Sequence, residues 1–413
     1  MTSKAYQLLQ DIGFERMSGT DNEAKAAQII LNYLKELGLE GHLEAFKVNT
    51  SDITKAKLEV LEPYQKEYTC TAYAGCAVTP EEGQVFDLTY LESDHELSLL
   101  KAKDKAVIYD GFVGMMGYNM IKKANAAAFI GANGDLTHED NDLNHPELRS
   151  YIIKDNYNVP GVHVTANDLA ELVNLGASKV RITVNQTTST VDSHNILVDI
   201  PGEDDQVIIC SAHYDSVAHS NGVYDNGSGV VALYQIAAYF AIHKPKHTIR
   251  LIFCGSEERG LLGSKAYVNS HSAILDKIKL NINIDMIGSI MGKAVSVATA
   301  EESVVHYIDY LGKEVGYPVH TKQGVYSSDS TPFADKGIPA ISFSRHAGTK
   351  YGPFHNRWDS LKLMSEKNLL LDCDFIVEFT KRMANAVMIP VPRTMPENMV
   401  KELNKYLGKE EKK

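Results

Sequence analysis

Val207-Ile208-Ile209-Cys210-Ser211-Ala212-His213-Tyr214-Asp215 opens as an apolar run and closes on a histidine and an aspartate. Two later runs follow the same plan. Ile249-Arg250-Leu251-Ile252-Phe253-Cys254 leads into Gly255-Ser256-Glu257-Glu258, and Leu280-Asn281-Ile282-Asn283-Ile284 leads into Asp285. Runs of this length and composition read as strands. In an open α/β sheet the carboxyl ends of the strands line one crevice, and ligands bind there. Side chains just past those ends therefore converge although they are distant in sequence. Two more polar segments complete the set: Tyr224-Asp225-Asn226-Gly227-Ser228-Gly229 and Phe354-His355-Asn356-Arg357-Trp358-Asp359.

Imidazole nitrogen and carboxylate oxygen are ligands for metals of the zinc class. A close pair of divalent ions needs roughly three ligands each plus a shared one. Two histidines and three acidic residues, one of them bridging, meet that need. Glu257-Glu258 is the most telling pair. Adjacent carboxylates repel, and burying both is costly unless a cation neutralises one. One can bind metal while the other acts as general base. Taken alone, a Glu-Glu pair is usually a solvated loop. The inference rests on five segments together, three of them at predicted strand ends.

As a set, the segments resemble the co-catalytic di-zinc aminopeptidase family, which includes bacterial leucyl aminopeptidases, glutamate carboxypeptidase and glutaminyl cyclase. The resemblance is carried by His213-Tyr214-Asp215, Asp225-Asn226-Gly227-Ser228-Gly229, Glu257-Glu258-Arg259-Gly260-Leu261-Leu262-Gly263-Ser264, Asp285-Met286-Ile287-Gly288 and His355-Asn356-Arg357-Trp358-Asp359. Ser328-Asp329-Ser330-Thr331-Pro332-Phe333 and the following Gly337-Ile338-Pro339-Ala340 also look like the family's loop and strand. The resemblance implies two Zn2+ per chain, with cobalt or manganese as alternative metals. It implies that His213 and Asp285 hold one metal, Glu258 and His355 the other, and Asp225 both. Glu257 would be the general base. Asp215 would stand behind His213 and fix its tautomer, and Asp359 would orient the loop around His355. The implied reaction is removal of N-terminal residues from peptides by a water shared between the metals, with Glu257 taking its proton. There is one departure. Many relatives carry Tyr directly before the last histidine, where this chain has Phe354, which leaves Tyr351, Tyr326 and His346 as candidates for the oxyanion group. A carboxypeptidase or dipeptidase on the same scaffold is an alternative, with Arg345 and Arg357 as the groups that would bind a substrate carboxylate. A glutaminyl cyclase and a non-catalytic receptor-like relative are others; the latter fits poorly with a chain that keeps every ligand.

A chain of 413 residues exceeds what one hydrophobic core usually supports, so two domains are expected. Character changes near residue 50. The predicted catalytic domain is discontinuous, residues 1–50 and 188–395, an α/β fold with a mostly parallel mixed sheet and helices on both faces. Between them, 51–187 reads as a β-rich insert that resembles a protease-associated domain. Residues 396–413 read as a charged tail. Thr20-Asp21-Asn22-Glu23 is a capping box that predicts a helix closed by Gly38. The stretch 229–242 is apolar nearly all round, which predicts a helix buried against the sheet. A net charge of −12 argues against nucleic acid as partner. No stretch approaches the length of a membrane span, so no membrane is expected. The first residues carry no apolar signal core, and five scattered cysteines fit reduced thiols, so a cytoplasmic location is expected. Peptides with a free N-terminus are the expected partners, and an oligomer is possible.

Overall fold

The computed structural model describes residues 2–137, 143–149, 152–153, 156–348 and 352–409. Contacts divide the chain into two compact units, Met1–Val48 with Asp192–Lys413, and Asn49–Val191. The chain passes from one to the other within two long strands, Gly41–Glu62 and Lys179–Ile200.

At the heart of the larger unit lie four adjacent parallel strands in the order Ala340–His346, Ile278–Ile284, Val207–His213, Thr248–Cys254. Antiparallel strands flank them. Lys293–Thr299 pairs with Ala340–His346, and Lys179–Ile200 pairs with Thr248–Cys254 through Ile196–Ile200. The alternation of side chains explains why both faces need cover. Ile208, Cys210, Ala212, Leu251 and Phe253 join the core formed with helices Lys4–Asp11, Asp21–Glu36, Ser228–Phe240 and Glu366–Ala384. Ile209, Ile252 and Cys254 face the other way, against Tyr267, Val268 and Phe333 of helices Leu262–Ser270 and Ser330–Asp335. The expected sheet with helices on both faces is what the chain forms.

The Asn residues of Leu280-Asn281-Ile282-Asn283-Ile284 are fully buried. Asn281 donates to Ser211 Oγ (2.9 Å), Ser211 Oγ to Asn283 Oδ1 (2.9 Å), and Asn283 Nδ2 to Ser328 Oγ (2.9 Å). This polar seam stitches two central strands to the segment entering helix Ser330–Asp335. Each of these bonds pairs a buried donor with a buried acceptor, which makes the seam tolerable in a core, although Asn281 Oδ1 has no partner among the described residues.

Helix Asp21–Glu36 starts as its capping residues predict, with Thr20 accepting from the Glu23 amide (3.3 Å). Glu23 departs from the simple box. It accepts from Gly19 N (2.6 Å), and its other oxygen accepts from Ser193 Oγ (2.5 Å) at a buried site. Helix Ser228–Phe240 is buried along almost its whole surface. A side chain at Gly229 would place Cβ 2.5 Å from the Ile284 carbonyl, so only glycine lets the helix start this close to the sheet.

In the smaller unit, strands Gln84–Tyr90, Ala106–Tyr109, Ala128–Asn133 and Gly161–Thr165 pair in parallel. Helices Glu96–Ala102, Met115–Lys123 and Ala166–Asn174 alternate with them. The C-terminal stretch differs from the expected tail. Residues Glu397–Tyr406 form a helix, and its Leu403 packs with Ala334 and Ala340. Met399 and Leu403, four apart, supply the apolar face that a reading of charge alone overlooks. All five cysteines are free thiols. Among the described residues, no helix is long and apolar enough to cross a membrane.

Candidate metal centre

His213 ends the strand Val207–His213, and Cys254, its partner in register, is followed by Gly255, Ser256 and Glu257. Asp285 follows the end of the adjacent strand Ile278–Ile284. Asp225 lies in the buried turn that precedes helix Ser228–Phe240. Sheet order alone therefore delivers these residues to one crevice. Three left-handed residues then turn the chain away from the strand directions: Ser256 (φ +56°), Met286 (φ +62°) and His355 (φ +61°). Each such conformation costs a non-glycine residue roughly 1–2 kcal/mol, and such strain concentrates at functional sites.

The six sequence-predicted side chains meet. Donor atoms of His213, Asp225 and Asp285 lie within 4.8 Å of one another, as do those of Asp225, Glu258 and His355, and those of His213, Glu257 and Glu258. His213 Nε2 stands 3.1 Å from Asp225 Oδ1 and 3.6 Å from Asp285 Oδ1. His355 Nε2 stands 3.1 Å from Asp225 Oδ2 and 3.1 Å from Glu258 Oε2. The two oxygens of Asp225 thus face different histidines. His213 is buried, whereas the His355 side chain is 46% exposed, so the crevice opens on the His355 side. Burial alone would lower the His213 pKa; Glu257, Asp215, Asp225 and Asp285 outweigh it and hold the imidazole well above its ordinary value. Burial also pushes the Glu257 carboxyl well up, opposed by His213 and reinforced by Glu258 and Asp329.

Asp215 does more than face the His213 ring, whose Nδ1 lies 3.4 Å from its Oδ1. It accepts the backbone amides of Glu257 (3.0 Å) and Glu258 (3.3 Å) and the Ser18 hydroxyl (3.1 Å). One buried carboxylate therefore holds both the histidine and the Glu257-Glu258 turn. Asp359 was expected to orient the loop around His355. Its carboxylate instead accepts the amides of Tyr224 (2.7 Å) and Asp225 (3.0 Å), so it clamps the turn that carries Asp225. Removing an acceptor from a buried donor costs about 1–3 kcal/mol. Asp359→Ala is expected to lower the stability of the metal-free protein by at least that amount in denaturant unfolding, and Asp359→Asn by less. Equal stability of Asp359→Ala and wild type would show that the clamp carries no load.

Asn226 and Arg16 escaped the sequence reading. Asn226 Nδ2 donates to the Ile284 carbonyl (2.9 Å), and its Oδ1 accepts the amides of Gly229 (2.9 Å) and Met286 (3.1 Å). It locks the Asp225 turn to the Asp285 turn. Its place inside the Asp-Asn-Gly motif was the available signal. Arg16 is fully buried, and nothing in its neighbourhood of the sequence marks it.

Of the oxyanion candidates, Tyr351 lies outside the described residues. Tyr326 and His346 stack with centroids 5.9 Å apart, and the Tyr326 hydroxyl donates to Ser344 Oγ (3.3 Å). Burial and the nearby Asp285 carboxylate raise the Tyr326 phenol well above its usual pKa, keeping it protonated. Phe354 is exposed. Arg345 is committed elsewhere. Its guanidinium pairs with the buried Asp372 through Nη2–Oδ1 (2.5 Å) and Nε–Oδ2 (2.8 Å), and Asp372 also accepts from Tyr317 and Gly288. Arg357 is exposed and lies 4.6 Å over the Trp358 ring.

Residues 195–377 match the model of peptidase family M28. The larger unit belongs to peptidase family M28. Aminopeptidase YwaD of Bacillus subtilis (strain 168) is 26% identical over 356 residues, 84% of this chain and 71% of that protein. Carboxypeptidase Q of Bos taurus is 24% identical over 385 residues, 88% of this chain and 80% of that one. Among solved structures, a zinc aminopeptidase from Bacillus subtilis superposes with a TM-score of 0.78 at 21% identity, covering 96% of this chain and 98% of that one. The protein is a metallopeptidase and hydrolyses peptides.

Proposed function

We propose that the protein is an aminopeptidase that uses two divalent metal ions, zinc foremost, to remove residues from the free N-terminus of peptides. The observation that carries the reading is the split of Asp225. Its two oxygens lie 3.1 Å from two different imidazoles, each of which faces a further carboxylate. In a zinc-type tetrahedron with bonds of about 2.0–2.2 Å, neighbouring donor atoms stand roughly 3.3–3.6 Å apart. The separations here, 3.1–3.6 Å, lie at or just below that spacing. Asp285 Oδ1 is buried without a hydrogen-bond partner among the described residues, which suits an atom reserved for a cation. His213, Asp225 and Asp285 would hold one ion, and Asp225, Glu258 and His355 the other. Bound there, the ions would supply Lewis acidity toward the scissile carbonyl and acidify the attacking water.

The chain's own groups do the rest. Glu257 is half-buried at the crevice, its backbone held by Asp215, and its carboxylate takes the proton from the water and passes it to the leaving amine. Tyr326, kept protonated, is the donor we assign to the developing oxyanion, its hydroxyl turning from Ser344 Oγ to do so. The excess of carboxylates suits a substrate ammonium. A carboxypeptidase needs a cation for the substrate carboxylate; Arg345 already serves Asp372, which leaves the exposed Arg357, stacked over Trp358, as the group that reading would use. We read the Asn49–Val191 unit as a protease-associated-like insert outside the chemistry, since no proposed ligand lies in it. Metal analysis of the purified chain, run with a panel of aminoacyl-anilides and N-blocked peptides, tests the proposal. Two ions per chain and cleavage only of substrates with a free amine are expected. One ion at saturation, or preference for N-blocked peptides with a free carboxylate, would overturn it.

A further inference from the structure

Arg16 lies outside the M28 match and outside every motif, yet it is among the largest fully buried side chains of the protein. A guanidinium carries five N–H donors and cannot shed its charge, so its complete burial demands an explanation. Its donors go to backbone carbonyls alone. Nε donates to Tyr214 O, Nη1 to Ile12 O (3.1 Å), Phe14 O (3.1 Å) and Asn221 O (2.6 Å), and Nη2 to Gly222 O (2.6 Å). Its own amide donates to Ser216 Oγ (3.0 Å), and its carbonyl accepts from Ser216 N (3.3 Å).

The identity of those carbonyls is what matters. Tyr214 sits between His213 and Asp215. Asn221 and Gly222 lead into the turn that carries Asp225, and Gly222 is left-handed (φ +54°), with an added Cβ falling 3.0 Å from Arg16 Nη1. Arg16 therefore spans the segment bearing one histidine and the segment bearing the shared carboxylate. Asp359 grips the same turn from its amide side through Tyr224 and Asp225. A fold that needed only to fill this space would use an apolar side chain, because burying a cation costs several kcal/mol even after relaxation. Here the charge faces acid: Asp359, Asp215, Asp225 and Glu258 all act on the guanidinium, which burial brings down only to about 10, so it stays charged at neutral pH.

We propose that Arg16 is a positioning residue of the metal centre: it sets the spacing between His213 and Asp225 through the carbonyls of Tyr214, Asn221 and Gly222 and adds a permanent positive charge behind the carboxylates. The proposal rests on the two-metal reading, but its measurement does not require two ions. It compares variant and wild type at whatever occupancy wild type shows, so a wild-type count of one ion sinks the earlier reading and leaves this comparison intact.

The test uses Arg16→Lys, which keeps the charge and loses the planar fork, and Arg16→Met, which keeps length and loses both. Metal affinity is read by competition with a chromogenic chelator, folding by thermal unfolding, and kcat and KM at saturating zinc. Partners that orient metal ligands typically matter about 10–100-fold. Folded Arg16→Lys is expected to bind metal about tenfold more weakly, with kcat reduced and KM within about twofold of wild type. Arg16→Met is expected to lose more on both counts. A folded Arg16→Lys with wild-type metal affinity and kcat would overturn the proposal. So would failure of Arg16→Lys to fold with or without metal, since that assigns the side chain to folding alone.

Discussion

Glu257→Gln is expected to lower kcat by about 10² to 10⁴ while leaving bound metal unchanged, the range typical for loss of a general base. The substitution keeps size and nearly keeps shape. The Glu257 amide, donated to Asp215, is untouched, so the turn holds its position. What disappears is the basic carboxylate. Glu258 is the control, because it is buried and its Oε2 lies 3.1 Å from His355 Nε2. Glu258→Gln removes a charged ligand, so metal affinity falls and excess metal restores part of the activity. Metal content and kcat measured on both variants separate the roles. A metal-free Glu257→Gln, or a Glu258→Gln with both metals at wild-type affinity, would reverse the assignment. Near-normal activity in both would remove the co-catalytic reading itself.

Asp225→Asn is expected to empty both metal sites at concentrations that fill wild type. A neutral amide offers one oxygen and no charge, so it does not bridge two dications as a carboxylate does. In the present geometry Oδ1 serves the His213 side and Oδ2 the His355 side, 3.1 Å in each case. The loss of activity at ordinary metal concentration should exceed the 10–100-fold typical of partners beyond the ligands. Backbone support survives, because Asp359 binds the amides of residues 224 and 225 and not the side chain. The turn itself should therefore keep its place in the metal-free protein. Titration with metal, followed by calorimetry, decides the point: if one of the two sites keeps its wild-type affinity, Asp225 serves only the other.

Asp215, Asp359 and Arg16 form a layer that acts on backbone more than on metal. Asp215 holds two amides of the Glu257-Glu258 turn, Asp359 two amides of the Asp225 turn, and Arg16 the carbonyls between them. The ligands are thus placed by fixing the loops that carry them. Asn226 joins the Asp225 and Asp285 turns in the same way.

Much of this protein was legible in the sequence because its information is local. Apolar runs near 207, 249 and 280 are strands with polar ends, and a residue's place at a strand end follows from periodicity alone. Helices Asp21–Glu36 and Ser228–Phe240 followed from capping and apolar spacing. His213, Glu257, Glu258 and Asp285 followed from residue type at strand ends, and Asp225 and His355 from two polar segments that resemble the family's motifs. Tertiary structure decided the rest, because it depends on which backbone groups are left unpaired when loops meet. Nothing local to Arg16 tells that its donors will face carbonyls of Tyr214, Asn221 and Gly222, some two hundred residues away. Nothing near Asp359 says that it will serve the Asp225 turn in place of its own loop. Arg345 reads in the sequence as a group for a substrate carboxylate, but Asp372 takes it; residues 396–413 read as a charged tail, but the apolar face of Glu397–Tyr406 meets Ala334 and Ala340. Residue type and spacing chose the reacting groups; the demand that every buried donor find an acceptor chose what holds them in place.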